Sequence, residues 1–177
     1  MLVAARKLTK SSDTQLRVWL ATSCDDARFS PAPVTSEYQL AAFAAAGRHC
    51  AGLMYMNQYM AGGSFVVGLE GHITPADGAE LTLRIGVPQI PEMPGAESEL
   101  TGAILAGLRD TPPEHRPMGI LELTRFYVHT ADFKTHRWKI ATPLLCLLLS
   151  AKMTSLLERN ASDAELWAAV EGVCPEM

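Results

Sequence analysis

Within Ile120-Leu-Glu-Leu-Thr-Arg-Phe-Tyr-Val128, the carboxylate of Glu122 and the guanidinium of Arg125 stand in an otherwise apolar run. A charge among apolar side chains is tolerated only when it is paired or used. The chemistry these two offer is proton transfer at a carboxylate and the orientation of an anion by a fork of fixed donors. Residues three apart in a regular strand point to opposite faces. Either a β-bulge turns one of them, as is common beside active sites, or the two serve different purposes. A solvent-facing edge strand is the remaining reading, and it gives neither residue any chemistry.

A strand from Gly119 to Val128 has to be held by neighbours, and the sequence offers several. Leu16 to Ala21 alternates as an early strand does, and Asp25 to Pro33 is rich in turn formers. The Ala-rich stretch from Ser36 to about Met54 reads as a buried helix with Ser36 as its N-cap. Ser64 to Glu70 and Ala79 to Val87 are strand-like, and Thr74-Pro-Ala-Asp-Gly between them predicts an antiparallel hairpin. After Pro88, Pro91 and Pro94, the spacing of Leu100, Ile104 and Leu108 predicts a helix over Glu97 to Arg109. Asp110 to Pro117 is then a loop. Thr142 and Pro143 read as the N-cap and first residue of a helix running to about Glu158, and Ser162-Asp-Ala-Glu165 is a capping box opening a last helix. The expected class is α+β, with helices packed on a small, mostly antiparallel sheet.

Composition narrows the function classes. The 177 residues are 48% hydrophobic and 19% charged, and no repeat or linker divides them, which predicts one domain over residues 1–177. A net charge of −4 argues against a nucleic-acid binder. Cys24, Cys50, Cys146 and Cys174 form no CxxC pair and have no His at zinc-finger spacing, so they read as thiols, mostly in the core, and no metal site is expected. His72, His115 and His129 read as surface histidines in or beside loops. Met54, Met56 and Met60, with Tyr55 and Tyr59, read as core packing, and Gly62-Gly63 as a turn. The N-terminus has no apolar h-region, so the expected location is the cytoplasm. The apolar run Ile140 to Leu149 is shorter than the roughly 20 residues a membrane span needs, and reads as a buried helix.

Glu122-Leu-Thr-Arg-Phe126 resembles the E-L-S-R-F segment of the acyl-homoserine-lactone (autoinducer) synthases, quorum-sensing enzymes on the GNAT acyltransferase fold. Leu83-Arg84-Ile-Gly-Val-Pro88 is similar to that family's R-L-L-P strand, and Asn57-Gln-Tyr-Met60 stands where the family has D-x-Y-D. The resemblance covers roughly Asn57 to Leu149. It implies a GNAT-like fold and acyl transfer from an acyl carrier protein or coenzyme A thioester to an amine, with no bound cofactor and S-adenosylmethionine as an acceptor. Glu122 and Arg125 would be catalytic, Glu122 as general base. Arg84, Phe126, Asn57 and Phe65 would line the substrate site, with Arg84 and Arg125 orienting a carboxylate or phosphate. The basic residues Lys134, Arg137 and Lys139, together with His136, read either as a docking face for an acidic carrier protein or as a solvated loop and helix start. The acyl-transfer reading expects a V-shaped opening between the Glu70 strand and the Glu122 strand, with a bulge nearby.

Two other classes compete. A long apolar helix followed by Phe65 to Val87 also suits a hotdog-type thioester-binding protein or thioesterase. In a non-catalytic binding domain, Glu122 and Arg125 would form a structural ion pair.

Overall fold

Period-two alternation of Leu16, Val18 and Leu20 with Arg17 and Trp19 builds a strand that turns its leucines and valine into the core. In the computed structural model, it is β2 (Thr14–Ala21), paired antiparallel with β1 (Leu2–Thr9). The structure describes residues 2–9, 14–21, 27–47, 49–57, 65–130 and 133–174; Cys24, Tyr59, Met60, Gly62 and Gly63 lie outside them. The other strands are β3 (Ser36–Ala41), β4 (Cys50–Asn57), β5 (Phe65–Thr74), β6 (Glu80–Ile85) and β7 (Gly119–Val128). One seven-stranded sheet, ordered β1-β2-β4-β5-β7-β6-β3, contains them all. Each neighbouring pair is antiparallel except β6 and β7. The fold is α+β, as expected, but the sheet is larger than the small one anticipated.

The helix expected over Ser36 to Met54 is absent. Its alanines favour helix only weakly, and tertiary partners override them: β3 alternates Tyr38 and Leu40 inward, while β4 slots between β2 and β5. The stretch between them crosses the ends of the helices, where Ala44 pairs with Pro117 and Ala46 with Ser150. The hairpin also fails, because β7 lies between β5 and β6. Strands two places apart are about 10 Å apart, a gap the stretch from Pro75 to Ala79 can bridge. β7 enters beneath that turn at Gly119, whose φ is +135° and whose position leaves no room for a side chain, since a Cβ there would lie 2.3 Å from the Thr74 carbonyl oxygen.

The helices cover one face of the sheet. Helix α1 (Ala96–Asp110) buries Leu100, Ile104 and Leu108 as their spacing predicts. Helix α2 (Thr135–Leu149) starts earlier than expected, so Thr142 and Pro143 are interior residues, not a cap. The Thr142 hydroxyl donates to the Trp138 carbonyl at 2.8 Å. Pro143 offers no N–H to the Lys139 carbonyl, which faces Gly107 of α1. The chain turns at Ser150, whose side chain accepts from Met153 N and caps α3 (Ala151–Glu158). Buried Arg116 closes α1, donating to the carbonyls of Leu108, Arg109 and Ala41 at 2.8–2.9 Å. Among the described residues no helix is long and apolar enough to cross a membrane.

The capping box stands as read: at the start of α4 (Asp163–Glu171), Ser162 and Glu165 exchange side-chain and backbone bonds. The Arg159 guanidinium, then the Ser162 backbone and hydroxyl, pull the Glu165 carboxyl down to about 2. A carboxyl depressed on folding stabilises above its unfolded value, and that contribution is lost as pH falls through the folded one. We expect the first turn of α4 to lose amide protection between pH 4.5 and about 2, with Glu165→Gln abolishing that step. Protection that stays flat across this range in the wild-type chain would contradict the assignment.

Candidate functional site

Register across the sheet sets two lateral rows on the face turned away from the helices. The first is Trp19–Gly52–Glu70–Arg125, across β2, β4, β5 and β7. The second is Ala21–Cys50–His72–Glu122–Arg84–Glu37, across β2, β4, β5, β7, β6 and β3. Ordinary alternation would put Glu122 and Arg125 on opposite faces. The register of β7 against β5 slips where Glu70 faces Arg125 but Gly71 faces Leu123, leaving Thr124 as the extra residue. That bulge is the first of the alternatives posed by the sequence, and it brings Glu122, Thr124 and Arg125 to one cavity wall.

The cavity has a volume of about 220 Å³, with an apolar wall of Trp19, Ala21, Ala51 and Pro31 beside Cys50, Glu70, His72, Glu122 and Arg125. Clefts that enclose whole drug-sized ligands run to roughly 300–1,000 Å³, so this one has room only for a small group. It opens over the sheet face. The expected V-shaped opening between the Glu70 and Glu122 strands is absent, because β5 and β7 stay paired on both sides of the bulge.

Residues 27–33 roof the cavity, and the first row fastens them. Gly52 has no side chain, so the Trp19 indole lies across it; a Cβ there would come within 2.3 Å of the ring. The Trp19 Nε1–H donates to Glu70 Oε1 at 3.0 Å, Arg28 N donates to both Glu70 oxygens at 2.7 and 2.9 Å, and Phe29 N donates to Oε2 at 2.9 Å. Glu70 is thus a buried carboxylate, 5% exposed, whose partners are N–H donors. Arg125 donates from Nη1 to the Phe29 carbonyl at 2.7 Å, and Ala32 N donates to the Thr124 carbonyl at 2.7 Å. The Arg28 guanidinium stacks 4.3 Å over Trp19, and Phe29 meets that ring edge-on.

Glu122 is paired with Arg84, not with Arg125: Nη1 of Arg84 lies 3.4 Å from Glu122 Oε1, while its Nε donates to Glu37 at 2.8 Å. The hydrogen bond to Glu37, then that to Glu122, raises Arg84 above the ordinary arginine value. Both partners of the 3.4 Å pair are part-exposed, at 39% and 40%. Glu122 is therefore held by one long contact and stays part-open to solvent.

The other expected residues lie elsewhere. Phe126 packs edge-on against Trp138 in the core, and Phe65 is fully buried against Tyr55. Asn57 ends β4, seven positions beyond Cys50, about 23 Å along an extended chain; its side chain lies outside the described residues. The basic residues at the start of α2 each have their own surroundings. Arg137 lays its guanidinium 4.0 Å over the Phe65 ring, Lys139 pairs with Asp110 and Lys134 is exposed at the N-cap of α2. His136 is lowered by burial, then by Arg137 and Lys134.

Sequence reasoning passed over Glu70, His72 and Cys50 as site residues. His72 lies within β5 and faces the cavity, not a loop. The signal was available: Glu70 and His72 alternate with Leu69, Gly71 and Ile73. Cys50, Cys146 and Cys174 are buried thiols. Burial raises Cys146, in the heart of α2, to about 12, whereas Cys50 opens on the cavity. Among the described residues no group of three His, Cys, Asp or Glu converges as metal ligands would. Comparison of the chain with protein families, with curated proteins and with solved structures finds no match.

Proposed function

We propose that this chain is an acyltransferase, moving an acyl group from a thioester of an acyl carrier protein or coenzyme A to an amine, in the manner of the autoinducer synthases. The observation that carries the reading is the part-exposed Glu122 carboxylate on the wall of a largely apolar cavity sized for a reacting group, with the bulge at Thr124 turning Arg125 to the same wall. An amine attacking a thioester carbonyl must lose a proton, and Glu122 is placed to take it. Arg84 holds Glu122 from one side and presents its remaining N–H groups to a substrate carboxylate or phosphate. Arg125 supports the roof and orients the substrate only through it.

The GNAT-like fold belongs to the same proposal. A parallel β6–α1–β7 unit with a bulged strand at the reacting centre supports it; because β5 and β7 do not part, the acyl chain enters beneath residues 27–33. An acceptor with an amine beside a carboxylate, such as the aminoacyl end of S-adenosylmethionine, matches the Glu122–Arg84 pair. The hotdog alternative loses its premise, since residues 36–54 supply two strands where it needs its long helix.

The test is to incubate the purified chain with acyl-coenzyme A or acyl carrier protein and a panel of amines, following free thiol and acylated product. Thiol release that depends on the amine is expected. Its absence with every donor and acceptor would end the proposal.

A further inference from the structure

Glu70 and Arg125 are occupied in holding the roof, and Arg84 in holding Glu122. Two further chemically capable side chains line the cavity, Cys50 and His72, and they are register neighbours. Cys50 of β4 faces His72 of β5, and His72 faces Glu122 of β7. All three line the same cavity. The Ile73 amide donates to the His49 carbonyl at 2.7 Å, which makes the next pair, Cys50 and His72, a non-hydrogen-bonded one. Side chains of such pairs stand closest, with Cβ atoms about 4.5–5.5 Å apart. Register thus orders Cys50, His72 and Glu122 across three neighbouring strands with the histidine in the middle, the order in which a nucleophile, its base and the group that orients the base are arranged.

We infer that Cys50 is the nucleophile of the first half-reaction, accepting the acyl group from the thioester donor before the amine does. The inference rests on the acyl-transfer reading for its donor. The Cys50 thiol gives its proton to His72, and its sulfur adds to the donor carbonyl. The carbon–sulfur bond to the donor then breaks, and the departing thiolate takes the proton from the His72 imidazolium. The products are acyl-Cys50 and free coenzyme A or carrier thiol. In the second half the amine adds to the acyl-Cys50 carbonyl and loses a proton to Glu122. The carbon–sulfur bond to Cys50 breaks, and the proton passes through His72 to the Cys50 sulfur, restoring the thiol. No oxidant or metal enters either half.

The experiment uses the full-length chain with butanoyl- and octanoyl-coenzyme A, without amine, quenched in acid and read by intact and peptide mass spectrometry. A single hydroxylamine-labile acyl adduct on the Cys50 peptide is expected, absent from Cys50→Ser and formed at least about 100-fold more slowly in His72→Asn. Amine-dependent thiol release with no adduct, or unchanged turnover in Cys50→Ser, overturns the relay and leaves direct transfer at Glu122 standing. An adduct on Cys24, Cys146 or Cys174 instead also overturns it. An adduct on Cys50 with no product from any amine supports the nucleophile and sinks the amine-transfer reading. Neither adduct nor thiol release sinks both. If circular dichroism shows Cys50→Ser misfolded, adduct mapping on the wild-type chain decides.

Discussion

Replacing Glu70 with Gln is expected to cost about 3 kcal/mol of stability and to loosen residues 27–33 from the sheet. Glutamine keeps one acceptor oxygen and puts an amide nitrogen where the other was. Whichever way it turns, that nitrogen meets backbone N–H groups of Arg28 or Phe29, or the indole N–H of Trp19, which now donate to the carboxylate. A hydrogen bond to a charged group contributes about 1.5–3 kcal/mol, and a buried donor left unpaired costs roughly another 1–3. Denaturant unfolding measures the total, and amide exchange at Arg28 and Phe29 locates it. A change below about 0.5 kcal/mol, the range of ordinary surface substitutions, would mean that Glu70 does not hold the roof. Trp19→Phe, which removes one donor and keeps the ring, should show a smaller loss of the same kind.

That prediction concerns a residue the sequence did not single out, for a physical reason. Glu70 reads locally as a polar residue at the end of an apolar strand, and its partners Trp19, Arg28 and Phe29 lie 41 to 51 residues away. Local signals carried well. The i, i+4 spacing of α1, the capping box of α4, the alternation of β2 and the extent of β7 appear in the structure where the residues place them. The bulge was legible as a dilemma: two charges three apart in one strand had to be reconciled. What failed were pairings decided far along the chain. Ser36 to Met54 is helical by composition, but β6 claims one half of it and β2 and β5 the other. The turn after Thr74 has the residues of a hairpin, and only the return of α1 through β7 shows that the two strands are not neighbours. Pro143 looked like a helix start because a proline favours the first turn, and nothing local shows that α2 begins eight residues earlier, at Thr135.

Glu122→Gln separates a reacting carboxylate from a structural one. If Glu122 takes the amine proton, the substitution should lower kcat/KM for amine acylation by about 100- to 10,000-fold, the range for removing a general base. Stability should hardly change, because the ion pair it loses is long and part-exposed, and such pairs contribute about 0–1 kcal/mol. The glutamine still fills the space and can accept from Arg84, so the cavity keeps its shape. In a domain where Glu122 only anchors Arg84, the order reverses: stability and any ligand binding shift together, and no chemical step is slowed. Running the two variants side by side sharpens the distinction. Glu70→Gln should weaken folding and, through the loosened roof, the binding of the acyl donor, whereas Glu122→Gln should leave folding and donor binding intact and stop the chemistry. Full turnover in Glu122→Gln at unchanged stability would remove the proton-acceptor role, because no other carboxylate on the cavity wall is unclaimed: Glu70 already accepts from the roof and from Trp19.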